Sequence, residues 1–444
     1  VVSSGGAPLY SKAPGGNPFI DNTTATLYGH VDLSGDIFNA GVYDQGTKFG
    51  VASNLTYFGV RAPYGYPGWA AIAQFESLVE VAAVPTERAA FGTRDSFIGM
   101  ESPWGTIKAG KADTPYKKAT SKYDPFSATL GDYNSIMGNT GGDLRAEFDW
   151  RASHAIWYES PMWYGFQAAV MVSPGQNTAK DNSDYALGDS NCPGTSARGS
   201  GSGFPLTSAP EGCTDGSYGN LYSASLTYNQ GPFTAVAAYE LHESTNRIGD
   251  EAVTPLSNGG LLLVPPGSVG VANEWAAKFG AGYKFNDMIG ALQLYGIYEI
   301  MRREHTDPAF NERSRDGYFV SATQTVDKWD VSASCAHANS SPGSPGTGVL
   351  NTYTVAAPAA AGAANFALNT LNSSADQYAL GVKYHFSPFV SWYLVGSYLR
   401  NGPGAHYCLG VSGHGYGVCG RDANNNVVSG NKAEAVTTGM TFDF

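Results

Sequence analysis

The sequence predicts an all-β chain, a sixteen-stranded antiparallel transmembrane β-barrel with a constriction loop folded into its lumen. Three observations carry this expectation. Apolar or small residues alternate with polar ones in run after run, the period of two that marks a strand with a different environment on each face. Tight turns and long loops succeed each other down the chain, as in barrels whose two ends meet different compartments. One stretch of about 35 residues, Asp113 to Glu147, has no periodicity although alternating runs flank it, and an unstructured span of that length in a compact fold is usually functional.

Composition narrows the class. The 444 residues include 56 Gly and 27 Tyr, and 14% are charged. No apolar run reaches the roughly 18 residues a transmembrane helix needs, which leaves the weaker alternating signature of a membrane barrel untouched. A net charge of -12 argues against nucleic acid, which would require a basic face. Residues 1–24 are rich in Gly, Pro, Ser and Asn, carry no pattern and read as an N-terminal arm. Any signal peptide is expected to have been removed before Val1. Residues 25–444 read as a single barrel, with the constriction loop at about 112–148.

The first strand runs from Leu27 to Ile37, with Leu27, Val31, Leu33 and Ile37 on one face and Tyr28, His30, Asp32 and Asp36 on the other. Tyr57 to Arg61 forms the second, followed by a Pro/Gly turn at Pro63 to Gly68 and a strand from Trp69 to Glu76. Ser96 to Met100 turns at Pro103 and Gly105 into Ile107 and Ala109. Beyond the long loop, Ala152 to Tyr158 turns at Pro161 into Phe166 to Val172. Later pairs are Tyr222–Tyr228 with Phe233–Leu241, Trp275–Phe285 with Leu292–Ile300, Tyr318–Thr325 with Trp329–Cys335, and Tyr378–Phe386 with Trp392–Tyr398. Val436 to Phe444 closes the count at sixteen, an even number as bacterial barrels require. Long loops fall at about 174–219, 243–272, 339–374 and 401–431, while Tyr283, Phe285, Tyr384, Phe386, Phe442 and Phe444 sit beside short turns, where an interfacial girdle belongs. Backbone groups in lipid must all be paired, so first and last strands are expected to meet.

The five cysteines are placed unevenly. Cys192 and Cys213 share one Gly/Ser/Pro-rich loop and Cys408 and Cys419 another, two candidate disulfides of an oxidising compartment, with free thiols as the alternative. His406 and His414 beside the second pair offer a metal-binding alternative; no metal or other cofactor is expected, because no ligand spacing of a known site appears. No nucleophile elbow or zinc-helix motif accompanies the eight scattered histidines, so no catalytic residue is assigned and the chain is not read as an enzyme.

Several segments resemble the general trimeric porins of Gram-negative outer membranes. They are Thr26-Leu27-Tyr28-Gly29, Tyr57-Phe58-Gly59-Val60-Arg61, Phe97-Ile98-Gly99-Met100, Gly105 through Lys111, Thr114-Pro115 and Asp124-Pro125-Phe126 of the long loop, Arg151 through Pro161, and a terminal Phe444. The family often has arginine where this chain has Tyr57 and Lys111. The resemblance implies a homotrimer in the outer membrane, in contact with lipid, passing small hydrophilic solutes and ions by passive diffusion. It also implies a constriction at which basic wall residues face an acidic loop. Wall candidates are Arg61, Lys111 and Arg151, with Lys108 behind them. The loop offers Asp113, Asp124, Asp132, Asp143 and Glu147, and also Lys117, Lys118 and Lys122. Such a mixed set predicts weak ion selectivity, with the acidic mouth leaning towards cations. The alternative is a substrate-selective channel with a solute-binding constriction.

Overall fold

The computed structural model describes residues 8–10, 25–43, 45–66, 68–82, 92–139, 148–149, 151–174, 219–246, 271–286, 289–304, 314–340, 350–355, 366–369, 372–411, 413–421 and 428–444. Among them are β1 (Pro8–Tyr10), β2 (Ala25–Asn39), β3 (Lys48–Ser53), β4 (Tyr57–Tyr66), β5 (Trp69–Leu78), β6 (Ser96–Ser102) and β7 (Gly105–Asp113). After the inserted loop come β8 (Arg151–Glu159), β9 (Phe166–Pro174), β10 (Asn220–Gln230), β11 (Phe233–Asn246), β12 (Val271–Asn286), β13 (Ala291–Glu304), β14 (Arg315–Val326) and β15 (Trp329–Ala338). A small hairpin, β16 (Leu350–Val355) with β17 (Phe366–Asn369), precedes β18 (Ala375–Ser387), β19 (Val390–Asn401) and β20 (Lys432–Asp443).

Neighbours in sequence pair antiparallel around a closed wall. β3 and β4 both pair with β2 and form one wall strand, interrupted at 54–56. There Leu55 takes a left-handed φ of 38°, and the Thr56 hydroxyl stands in for the lost ladder, accepting from the Asp32 amide at 3.0 Å and donating to its carbonyl at 3.1 Å. β16 and β17 form a separate sheet and β1 adds only a three-residue pairing to β2, so sixteen strands close the ring. The seam runs from His30↔Asp443 to Asn39↔Glu434. Gly29 and Phe444 exchange backbone hydrogen bonds of 3.0 and 3.1 Å below it. Gly29 is needed there because a Cβ would stand 2.4 Å from the Phe444 ring. Closure leaves no unpaired edge facing lipid.

Polarity is inverted relative to a soluble protein. Ile98 is 71% and Leu380 64% exposed on the outer surface, with Leu33, Ile37, Val51, Met100, Val331 and Met440 beside them in kind, while Asp36 and Glu299 on the inner face are wholly buried. A lipid-facing band and a polar interior account for this arrangement. Trp69, Trp104, Trp163, Phe233, Trp329 and Phe389 are all exposed beside short turns, so the aromatic belt marks the turn end of the barrel. β4 pairs with β5 up to Tyr66↔Trp69, so the turn expected at Pro63 to Gly68 is tighter than its Pro/Gly content implies.

The long loop does enter the lumen. It opens with a short helix, α1 (Pro115–Thr120), which Thr114 caps by accepting from the Lys117 amide at 3.2 Å while Pro115 occupies the first turn. Two single 3-10 turns follow, Ser121–Tyr123 and Tyr133–Ser135. Tyr116, Tyr123, Leu130, Ile136, Met137 and Phe148 form its apolar side and pack with wall alanines including Ala276, Ala336, Ala375 and Ala433. Small wall residues make the room: a Cβ on Gly381 would lie 2.8 Å from the Phe126 ring.

Candidate pore constriction

The loop leaves the wall between β7 and β8, crosses the lumen and is fastened to β10–β14 and β18. Glu299 of β13 accepts from the Tyr116 hydroxyl at 2.6 Å and the Gly138 amide at 2.9 Å. Lys278 of β12 donates to Asp149 at 3.0 Å. Arg315 of β14 donates to the Asn139 carbonyl at 3.0 Å and also reaches that of Ile136. Ser223 accepts from the Tyr116 amide at 3.0 Å, Ser321 donates to the Tyr123 carbonyl at 2.7 Å, and Gln377 donates to that of Asp132 at 3.0 Å. Buried polar groups cost free energy unless satisfied, so these bonds fix one loop position.

The wall from which the loop springs is different. Asp95, just before β6, lies 2.8 Å from Arg151, and Arg151 lies 2.9 Å from Asp113. Lys117 approaches Asp113 at 3.4 Å and Lys118 approaches Asp95 at 3.6 Å. Three cations therefore share two carboxylates, and the Lys118 side chain is 42% exposed to the lumen. Lys108 and Glu159 pair at 2.7 Å on the same inner face. Between the loop segment 125–129 and the wall lies a cavity of about 340 Å³ lined by His30, Asp32, Tyr57, Arg94, Lys383 and Tyr393 among others.

The structure thus gathers Arg151, Asp113, Lys117 and Lys118 and adds Asp95, Arg94 and Glu76, which the sequence reading missed. Arg94 pairs with Glu76 and lies over the Tyr57 ring. Arg61 is on the inner face, donating to Gln74 at 3.0 and 3.2 Å and lying over the Tyr28 ring. Lys111 stands opposite Ser96 beside the bulge of β7, with no ion pair among the described residues. Lys122 points the other way, donating to Asn229 at 2.8 Å and Thr234 at 3.1 Å, and burial lowers its pKa.

Asp124 and Asp132 serve the loop's own backbone. Asp124 accepts from the amides of Phe126 and Tyr133 at 2.9 and 3.0 Å, and Asp132 from those of Ala128 and Asn134 at 2.8 and 2.9 Å. Burial pushes the Asp132 carboxyl up to about 7, partly offset by those amides, and burial with the neighbouring Asp132 holds Asp124 well above the usual carboxylate range. Asp143 and Glu147 lie outside the described residues, as do Cys192 and Cys213. Cys408 and Cys419 are joined in a disulfide, and Cys335 is a free thiol.

A closed barrel that is greasy outside, charged inside and narrowed by its own loop defines the class: an outer-membrane barrel built around a passage. The family model described as Gram-negative porin matches residues 17–404. The chain belongs to the Gram-negative porin family, whose place is the bacterial outer membrane. It is 30% identical over 161 residues to major outer membrane protein P.IB of Neisseria sicca, covering 34% of this chain and 42% of that relative. With major outer membrane protein P.IA of Neisseria meningitidis serogroup C it shares 23% identity over 347 residues, 76% of this chain and 74% of the relative. Against the first curated relatives it matches, the alignments span under half of their length, 42%, 49% and 47%. Among solved structures, an anion-selective porin from Comamonas acidovorans superposes with a TM-score of 0.64 at 16% identity, over 95% of this chain and 100% of the other. Salmonella typhi OmpF in complex with daunomycin gives a TM-score of 0.54 at 14% identity, over 96% and 98%. At such identities the likeness concerns the fold.

Proposed function

We propose that the chain is a general diffusion porin whose passage runs beside the anchored loop, along the cavity lined by His30, Arg94 and Lys383, and admits small hydrophilic solutes and ions. The observation that carries the reading is the contrast of a lipid-facing outer surface with exposed charge inside the ring at Lys118 and Arg61. Charge within a narrow, poorly screened passage outweighs distant loop carboxylates, because at physiological salt the screening length is about 8 Å. Arg151, Lys117 and Lys118 exceed Asp95 and Asp113 by one charge, and Arg61 bonds an amide instead of a carboxylate. The passage is therefore weakly anion-preferring, opposite to the cation lean expected of the acidic mouth. A reversal potential in a potassium chloride gradient tests this; clear cation selectivity would refute it.

A homotrimer is proposed on the family and on the trimer form recorded for a Vibrio cholerae structural neighbour. Mass measurement of the detergent-extracted protein decides it. A hydrolase reading has one observation in its favour: Ser391 lies 3.0 Å from His385 Nδ1, and His385 Nε2 lies 2.9 Å from Asp330. Ser391 sits inside β19, paired with Thr441, instead of on the exposed turn that presents a nucleophile with its oxyanion donors. The three groups act in the proposed channel as a wall network. Ester hydrolysis that disappears in Ser391→Ala would establish the enzyme instead.

A further inference from the structure

The last long loop joins β19 to β20 at the end of the barrel opposite the short turns. Its described residues around the disulfide pack inside the barrel. Tyr407 is buried on the β14 side, under the Arg315 guanidinium at 5.9 Å. The Tyr416 hydroxyl donates to Asp36 of β2 at 2.7 Å. β14 and β2 are separated by four wall strands, so a loop touching both spans part of the lumen. His414 lies 3.2 Å from Asp36, with both side chains fully buried, and 3.4 Å from the Ser34 hydroxyl. The amide of Gly415 donates to Asn54 at 3.1 Å. Asp36 and Ser34 are on the inner face, three and five residues below the end of β2 at Asn39, so the loop descends well below the rim.

The loop also meets the constriction loop. A Cβ on Gly413 would stand 2.7 Å from Ala128 Cα, and one on Gly410 would stand 2.7 Å from the Leu130 side chain. Leu409, Tyr407 and Val418 share the apolar core with Leu130, Ile136 and Tyr133. Leu409 and Val418 exchange backbone hydrogen bonds of 3.1 and 2.9 Å, and the disulfide Cys408–Cys419 closes the hairpin around them. A crosslink of this kind restricts the undocked ensemble more than the docked one. Glycines at 413 and 415 allow the backbone to press against Ala128 and against the Ser53 carbonyl, which a Cβ on Gly415 would approach at 2.9 Å.

We propose that the disulfide-closed segment from Cys408 to Cys419 is a second constricting element of the passage, seated on Asp36 and Asn54 of the wall and on the constriction loop. His414 and Tyr416 are its positioning residues. The proposal rests on the channel reading above and adds that solute size is set by two inserted loops acting together. The constriction loop alone would leave the ground between Ala128 and β2–β3 open. The hairpin fills the part at Ser34, Asp36 and Ser53, so the residual route is confined to the side lined by His30, Arg94 and Lys383.

Single-channel recordings in planar bilayers, with neutral polymers of graded size as probes, test the proposal. One variant joins Asn401 to Lys432 by a short polar turn; a second keeps the full length but carries Cys408→Ser, Cys419→Ser and His414→Ala. The proposal expects both to conduct at least half as much again as the unaltered protein and to admit larger polymers, with heat stability of the barrel in detergent little changed in the second. Unaltered conductance and polymer limit in both variants would overturn it. If the shortened chain does not insert, the second variant decides alone. Absence of any conductance steps from the unaltered protein would overturn the channel reading itself, a result distinct from equal conductance.

Discussion

The two sides of the lumen use the same chemistry for opposite ends. On the far side, Lys278–Asp149, Arg303–Glu274 and Arg315–Glu299 are ion pairs whose side chains are at most 2% exposed. On the near side, Arg151, Lys117 and Lys118 pair with Asp95 and Asp113 at 17 to 42% exposure. Burial decides the role. A fully desolvated pair contributes little net stability but makes removal of one partner expensive, so it fixes position. A wet pair is worth at most about 1 kcal/mol to stability, yet its field acts directly on ions passing within a few Å. The far wall holds the loop, and the near wall meets the solute.

The comparison breaks most sharply at Arg315. Arg315→Met leaves the carbonyls of Ile136 and Asn139 without their donor and removes the buried charge facing Glu299, which keeps the Tyr116 hydroxyl and the Gly138 amide, a loss of about 3–5 kcal/mol. The constriction loop should become protease-sensitive in the folded barrel and the current noisy; a quiet, resistant variant would show that the far wall does not anchor it. Lys278→Met should act the same way more weakly, since among the described residues Lys278 bonds only Asp149, which keeps the Tyr133 hydroxyl and Asn134 as donors, whereas Arg315 also serves two loop carbonyls.

Arg151→Gln sharpens the other half. It should leave the loop in place and shift the chloride-to-potassium permeability ratio towards potassium by about two- to fivefold, the effect of roughly 0.5–1 kcal/mol on a passing ion. A reversal potential equal to that of the unaltered protein would remove the near wall from selectivity.

The smallest expected effect is of pH. Asp132, near 3.8 when the loop is undocked and about 7 when docked, favours docking in its protonated form. That contribution is complete below about pH 4 and is lost as pH rises through about 7. The amides of Ala128 and Asn134 stabilise the anion and keep the shift from being larger still. Open-channel noise should therefore increase from pH 4 to pH 8, with a smaller increase in Asp132→Asn and none once Asp124→Asn is added.

Wall strands were legible because each carries its own evidence: Leu33 faces lipid and Asp32 the interior, as their alternation in sequence requires. Arg61 and Arg151 were legible as inner-face cations for the same reason. The anchors were not, because a lumen-facing Arg315 or Glu299 has the same sequence signature whether water or a loop carbonyl meets it. Asp95 was missed since it precedes its strand and obeys no alternation. Insertion of the last loop was hidden more deeply, as its decisive partners, Asp36 and His414, lie at opposite ends of the chain.

The account stands most directly on the conductance of the purified protein in a planar bilayer, recorded with and without residues 113–147. It predicts discrete ohmic steps for the unaltered chain and clearly larger ones once the loop is gone. No steps, or steps of the same size in both, would contradict it.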